Sequence, residues 1–305
     1  METLTHTEAD VAKTVPFAFF GTPYVARDTL ASLLAAGYRP EVVITSPDAP
    51  RGRGLSVEPC ATKEFALAEG IPVLTPVVLD AEFLSSLAPY GCRYAIVVAY
   101  GKLLPQAAID AFPLGILNVH YSLLPKYRGA APVEAALRAG DTETGVTIQR
   151  MVLKMDAGDI LSQERTQIEP DETARELRPR LIALGSEVLI RTLPHFTHDT
   201  AASIPQDPAF ATHAPKIRKD ERLLILSNQT PSLARENWNT YRAYAEPPGT
   251  YFFATKKGQQ NGQRLRVKIA EATYEDGIFH VSRIVPEGKP PQPFSWLEQN
   301  GWVPE

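Results

Sequence analysis

Cysteine is scarce in this sequence of 305 residues. Cys60 and Cys92 are the only two, too few for a disulfide scaffold and in no paired metal-ligand spacing such as C-x-x-C. A reducing, cytoplasmic setting is therefore expected, with no metal. Long apolar runs are missing as well: nothing approaches the roughly 18 apolar residues of a membrane span. Residues 1–13 carry Glu2, Glu8 and Asp10 where an export signal would be apolar. No membrane partner is expected. Basic residues are not in excess, 31 against 35 acidic, and the net charge of −4 excludes a histone-like polycation. Any nucleic-acid contact must then use a local patch. The sequence also lacks G-x-G-x-x-G and G-x-x-x-x-G-K-[ST]. That argues against nicotinamide, flavin or ATP sites of the usual kind.

What is present is an alternation of short apolar runs with amphipathic stretches, the pattern of β-α-β units around a mostly parallel sheet. The spacing predicts strands at 17–20, 42–45, 73–74, 95–99 and 116–120, with helices at 24–36, 62–69, 81–87 and 133–139. Gly37 is placed to end the first of these helices. Residues 145–151 and 160–168 alternate like a hairpin, and 173–193 reads as a long helix containing Pro179. Between 194 and 216 four prolines fall among small and polar residues, the composition of a linker. Beyond it, runs at 223–225, 251–254, 265–269 and 278–284, with turns at Pro247-Pro248-Gly249 and Asp276-Gly277, predict a small β domain. The expected organisation is a flexible arm over 1–15, a catalytic domain over 16–194, a linker over 195–215 and a β domain over 216–305. Residues 211–268 hold eleven basic against four acidic residues, a local excess of +7. That charge suits a phosphate backbone and equally a solvated surface, and the charge alone does not choose.

Asn118 and His120 are two apart on an expected strand, so they leave its carboxyl end on one face. Ligands of open α/β sheets bind at that end. A lone histidine would more often be a satisfied core residue. Paired with Asn118 and followed by the Pro- and Gly-punctuated segment 121–129, it points to function. Asp156 and Asp159, in the hairpin connection, fit either chemistry or a simple Asx turn.

Longer motifs carry a resemblance. Asn118-x-His120, Ser122-Leu123-Leu124-Pro125-x-Tyr127-Arg128-Gly129, Gly140-Asp141-x-Glu143-Thr144-Gly145-Val146-Thr147 and Met155-Asp156-Ala157-Gly158-Asp159 resemble the 10-formyltetrahydrofolate-dependent formyltransferases. Phe20-Gly21-Thr22-Pro23, Pro47-Asp48-x-Pro50-x-Gly52-Arg53-Gly54 and Val97-Val98-Ala99-Tyr100-Gly101 narrow it to the methionyl-tRNA formyltransferase family. The resemblance is close over 17–193 and loose beyond. It implies a Rossmann-like α/β domain followed by a small OB-like β-barrel. It also implies transfer of a formyl group from 10-formyltetrahydrofolate to the methionine of initiator tRNA, by a monomer. Asn118, His120 and Asp156 match the catalytic trio. Ser122, Leu123, Leu124 and Pro125, with Tyr100 and Gly101, match folate-contacting positions. Arg53 matches an arginine used on the tRNA acceptor end, Arg51 is the second basic residue of its loop, and Lys216, Arg218 and Lys219 are the expected basic contacts beyond it.

The sequence departs from the family pattern in places. Tyr121 replaces a usually small residue, which is expected to narrow the site or to alter the folate contact. Leu55-Ser56 stands where two lysines are common, and Ala245-Glu246-Pro247-Pro248-Gly249 replaces Asn-Pro-x-Pro-Gly. The C-terminal region is a few strands short, so the barrel is expected to be incomplete. One alternative keeps the chemistry and changes the acceptor to an amino sugar nucleotide, but that reaction needs neither the cationic segment nor the Arg51-Gly52-Arg53-Gly54 loop. A tRNA-binding protein without activity would have no use for the trio.

Overall fold

The structure, a computed structural model, describes residues 8–51, 56–257 and 264–305. Within the expected arm, residues Glu8–Thr14 form α1, and Ala12 of that helix is fully buried. The chain then builds β1 (Phe17–Gly21), α2 (Tyr24–Ala35), β2 (Val42–Ile44), β3 (Ala49–Arg51), β4 (Ser56–Glu58), α3 (Ala61–Ala68), β5 (Val73–Leu74), α4 (Ala81–Leu87), β6 (Tyr94–Val98), α5 (Gln106–Asp110) and β7 (Ile116–His120). After α6 (Pro132–Ala139) come β8 (Glu143–Arg150), β9 (Ile160–Gln167) and α7 (Ala174–Thr197). Two compact units result: residues 1–132, 144–166 and 179–214 form one, and 133–143, 167–178 and 215–305 the other.

The first unit is organised by a seven-stranded sheet of order β5-β2-β1-β6-β7-β8-β9. Pairing is parallel from β5 to β7, and β8 runs antiparallel to β7. β1, β6 and β7 are buried at every residue, as strands of a parallel sheet must be when both faces are covered. One face packs Phe20, Ile44, Val97 and Ile116 against Phe83, Tyr100 and Phe112. The carboxyl ends of β6 and β7 thus lie side by side, and the loops leaving them share one crevice. Pro23 precedes α2 in extended conformation, and Gly37 lies just beyond its end with φ of +86°, so the expected helix is present, starting at Tyr24 and ending one residue earlier than expected.

The second unit contains α8 (Pro231–Ala243) and an antiparallel sheet of β10 (Tyr251–Lys256), β11 (Arg264–Glu275), β12 (Ile278–Pro286), β13 (Gln292–Pro293) and β14 (Trp302–Pro304), with α9 (Trp296–Gln299) before the last strand. The order β13-β12-β11-β10-β14 is an open half-barrel. Asp276 and Gly277 both have positive φ, +50° and +80°, which matches a tight turn to the twist of β11 and β12. Two expectations need correction. Residues 223–225 form no strand, only a single bridge from Leu223 to Tyr251. Residues 231–243, given no element by the apolar pattern, are helical because Thr230 caps the Leu233 N–H, Pro231 opens the first turn, and Ala234 and Trp238 bury one face in the sheet.

Candidate active site

The site grows from one strand and the loops around it. Alternation along β7 puts Asn118 and His120 on one face, both buried. Antiparallel pairing sets Gln149 of β8 opposite Asn118 and Thr147 opposite His120. The β8–β9 connection bends over this row and carries Asp156, whose φ is +48°. An aspartate tolerates that left-handed conformation better than most residues.

Both oxygens of the Asp156 carboxylate are held. Oδ2 accepts the Gly129 backbone N–H at 2.8 Å, and Oδ1 accepts the amides of Gln149 at 2.9 Å and Asn118 at 3.4 Å. His120 Nδ1 lies 3.8 Å from Oδ1. Its Nε2 is 2.9 Å from the Tyr127 carbonyl, which can only accept, so Nε2 carries the proton. Burial pushes the imidazole pKa below its ordinary value of about 6.5, against the opposing pull of the Asp156 charge and the Tyr127 carbonyl. A neutral ring then leaves Nδ1 with its lone pair on the Asp156 side. That is the opposite tautomer from one that would offer an N–H there.

These groups face a cavity of about 390 Å³ with Val97, Tyr100, Gly101, Met151 and Met155 on its walls. The volume and the mixture of apolar wall with a few polar groups fit a small organic ligand. The Tyr100 hydroxyl is buried with no hydrogen-bond partner among the described residues, and burial pushes its pKa up to about 12, so it stays a donor. Tyr121, just past the end of β7, is among the residues lining this cavity, and its ring edge also approaches Gly185 of α7.

The structure brings Asn118, His120, Asp156, Tyr100 and Gly101 to one cavity. Ser122, Leu123, Leu124 and Pro125 do not line it. They form a locked loop beside it, with Ser122 Oγ donating to Lys126 O at 2.6 Å, Thr147 Oγ1 donating to Ser122 O at 2.7 Å, and Leu124 N donating to Thr147 Oγ1 at 3.1 Å. Lys126 N donates to Leu123 O, and Thr212 N to Pro125 O. Arg53 lies outside the described residues, as does the side chain of Arg51, whose backbone ends β3. In the second unit, Lys216, Arg218 and Lys219 are exposed, and Arg218 is paired with Asp220 at 3.2 Å and Glu221 at 3.7 Å.

Three further site residues escape sequence reasoning. Gln149 had a signal: with Thr147 it is the polar partner in a strand whose Val146 and Ile148 face the other way. Arg128 stood inside a motif with no role attached. Gln206 had none, because the stretch around it reads as a linker.

Comparison with known proteins accords with this geometry. Residues 15–193 match the family model described as formyl transferase. A methionyl-tRNA formyltransferase of Moorella thermoacetica is 38% identical over 272 residues, covering 89% of this chain and 84% of the relative. One from Thermus thermophilus is 42% identical over 273 residues, 89% and 85%. In three dimensions the chain is similar to an N-formyltransferase of Helicobacter canadensis solved with folinic acid and dTDP-3-aminofucose, with a TM-score of 0.59 at 16% identity over 88% of this chain and 93% of that one.

Proposed function

This chain belongs to the methionyl-tRNA formyltransferase family, and we infer that it transfers a formyl group from 10-formyltetrahydrofolate to the α-amino group of methionyl initiator tRNA. The observation that carries the reading at the site is the meeting of Asn118, His120 and the doubly held Asp156 on one 390 Å³ cavity.

The folate co-substrate supplies the formyl carbon and the leaving nitrogen; Tyr100, Gly101 and the apolar cavity wall are the residues that would hold it, with the Ser122–Pro125 loop as their support. Attack of a neutral amine on that carbon puts negative charge on the formyl oxygen. The Asn118 amide N–H meets that charge, and fixed donors of this kind give a large part of the rate. Bond formation leaves the attacking nitrogen positively charged. His120 Nδ1, bare in the neutral tautomer, takes its proton, and Asp156 at 3.8 Å stabilises the imidazolium so formed. The same proton is then available to the departing nitrogen, and the charge balance closes. No strong base is needed at the outset, since an α-amino group with pKa of about 8 is partly neutral near pH 7.

On this reading residues 16–194 carry the chemistry, while 216–305 and the 51–54 loop hold tRNA through Arg51, Arg53, Lys216, Arg218 and Lys219. The reaction belongs in the cytoplasm, where its tRNA is charged. Among the described residues no helix is long and apolar enough to cross a membrane. The test is a formylation assay of purified protein with 10-formyltetrahydrofolate and either methionyl initiator tRNA or a panel of amino sugar nucleotides. Formylmethionyl-tRNA is the expected product. Turnover of a sugar nucleotide alone would replace the acceptor, and turnover of neither would reject the reaction.

A further inference from the structure

We propose that Gln206 is a positioning residue for formyl transfer, bolting the Asp156 loop to the Arg128 side chain and so fixing Asp156 against His120. This rests on the role given to Asp156 above. The Gln206 amide is used at both ends. Its Oε1 accepts from Arg128 Nε at 3.1 Å and Nη2 at 2.8 Å. Its Nε2 donates to the backbone oxygens of Gly158 at 2.7 Å and Asp156 at 2.9 Å. A guanidinium only donates and a carbonyl only accepts, so the amide has one orientation and cannot be flipped.

What hangs on this clamp is the catalytic geometry. Asp156 has φ of +48°, a conformation that costs free energy and persists only where surrounding contacts impose it. The two carbonyls bound by Gln206 flank the Asp156–Gly158 turn, and the other end of the clamp reaches the middle of the segment that partners the trio. Tyr127 O accepts from His120, Arg128 holds Gln206, and Gly129 N donates to Asp156. Three successive residues thus connect to both catalytic side chains. That segment is in turn held from behind by the chain just beyond Gln206: Arg128 N donates to Thr212 O at 2.8 Å, Ala214 N to Arg128 O at 2.7 Å, and Tyr127 N to Thr212 Oγ1 at 2.8 Å. Residues 206–214, with the composition of a linker, thus brace the 127–129 segment and the Asp156 loop.

Two substitutions separate positioning from mere stability. Gln206→Met has similar length and loses every hydrogen bond. Gln206→Glu keeps Arg128 partnered, now by a full charge, but has no donor for the two carbonyls. Both are expected to lower kcat by about 10- to 100-fold, with KM for methionyl-tRNA and for 10-formyltetrahydrofolate changed by less than about two-fold. Turnover is expressed per folded molecule, from the folded fraction at the assay temperature, so a loss in Gln206→Glu is not a loss of fold. If Gln206→Met fails to fold, Gln206→Glu decides alone. Combined with Asp156→Asn, Gln206→Glu should add less than about two-fold to the defect of Asp156→Asn, because both act through one carboxylate. The proposal is overturned if kcat per folded molecule stays within about two-fold of the parent, if only a KM moves, or if the two defects multiply fully. Asp156→Asn measured by itself keeps the failures apart: full activity there rejects the role of Asp156, whereas a large loss there beside an active Gln206→Glu rejects only the clamp.

Discussion

At the residue scale the chemistry is a matter of which atoms carry protons. Asn118→Ala and His120→Ala are each expected to reduce turnover by on the order of 100-fold or more, with circular dichroism unchanged; near-parent turnover in both would remove them from the mechanism. His120 also makes a prediction about pH with a definite sign. Its folded pKa is below the ordinary value of about 6.5 because burial disfavours the imidazolium. Below about pH 6.5 the unfolded chain therefore binds a proton that the folded chain does not, and stability falls on acidification from there down to the depressed folded value. Above that window the contribution is flat. Urea unfolding between pH 5 and 7 should show a shallower acid loss in His120→Gln than in the parent, and equal slopes would contradict the neutral imidazole. Turnover should fall on acidification first as the α-amino nucleophile, pKa about 8, becomes protonated, and lose a further step below about pH 6.5 as the His120 ring, the proton acceptor, gains its own proton; that second step should be absent in His120→Gln.

At the element scale the site depends on how β7, β8 and the connection after β8 are shaped. A Cβ on Gly158 would overlap the carbonyl oxygen of Arg150, and the obstacle is backbone rather than a side chain that can swing away. Gly158→Ala is thus expected to displace the Asp156 loop, lowering turnover by at least about 10-fold while the sheet survives; an active, unshifted variant would show that the loop can re-form elsewhere. Much at this scale was legible in the sequence. The strands at 17–20, 73–74 and 116–120 and the helix at 81–87 follow from periodicity and lie where expected. The helix at 231–243 was not legible, because its composition is polar and much of what it buries is polar as well, Asn237, Asn239, Thr240 and Arg242 beside Ala234, Trp238 and Ala243. Its capping threonine and Pro231 were the readable sign. The strand expected at 223–225 failed for the converse reason: Leu224 is buried and bonded to Tyr251 O, but its neighbours find no second strand to continue the ladder.

At the scale of the whole molecule, an acidic chain must still bind a polyanion, and residues 211–268 with an excess of +7 are the place to look. Within them Arg218 is partly neutralised by Asp220 and Glu221, whereas Lys216 and Lys219 have no ion-pair partner among the described residues. Lys216→Ala and Lys219→Ala should raise KM for methionyl-tRNA and each reduce the salt dependence of tRNA binding by about one phosphate contact, leaving KM for the folate alone. Arg218→Ala should do less. In the same sheet Arg266 lies over Tyr251 at 4.0 Å, which holds its positive charge at a fixed position on the strand, whereas Arg264, over Phe253 at 4.1 Å, is paired with Glu305.

The amino-acid sequence alone determined the main strands and helices of the first unit, though not α1, β3, β4 or α5, and the candidacy of Asn118 and His120, because these follow from period and spacing within a few residues. Asp156 it left undecided between chemistry and a turn. Tertiary structure put the Asp156 carboxylate against Asn118 and His120, and with it set the tautomer of His120 and the presence of Gln149, Arg128 and Gln206. Each of these depends on contacts between residues far apart in the chain, such as the 50 positions separating Gln206 from the carbonyl of Asp156. Local periodicity carries no information about which distant carbonyl an amide will meet.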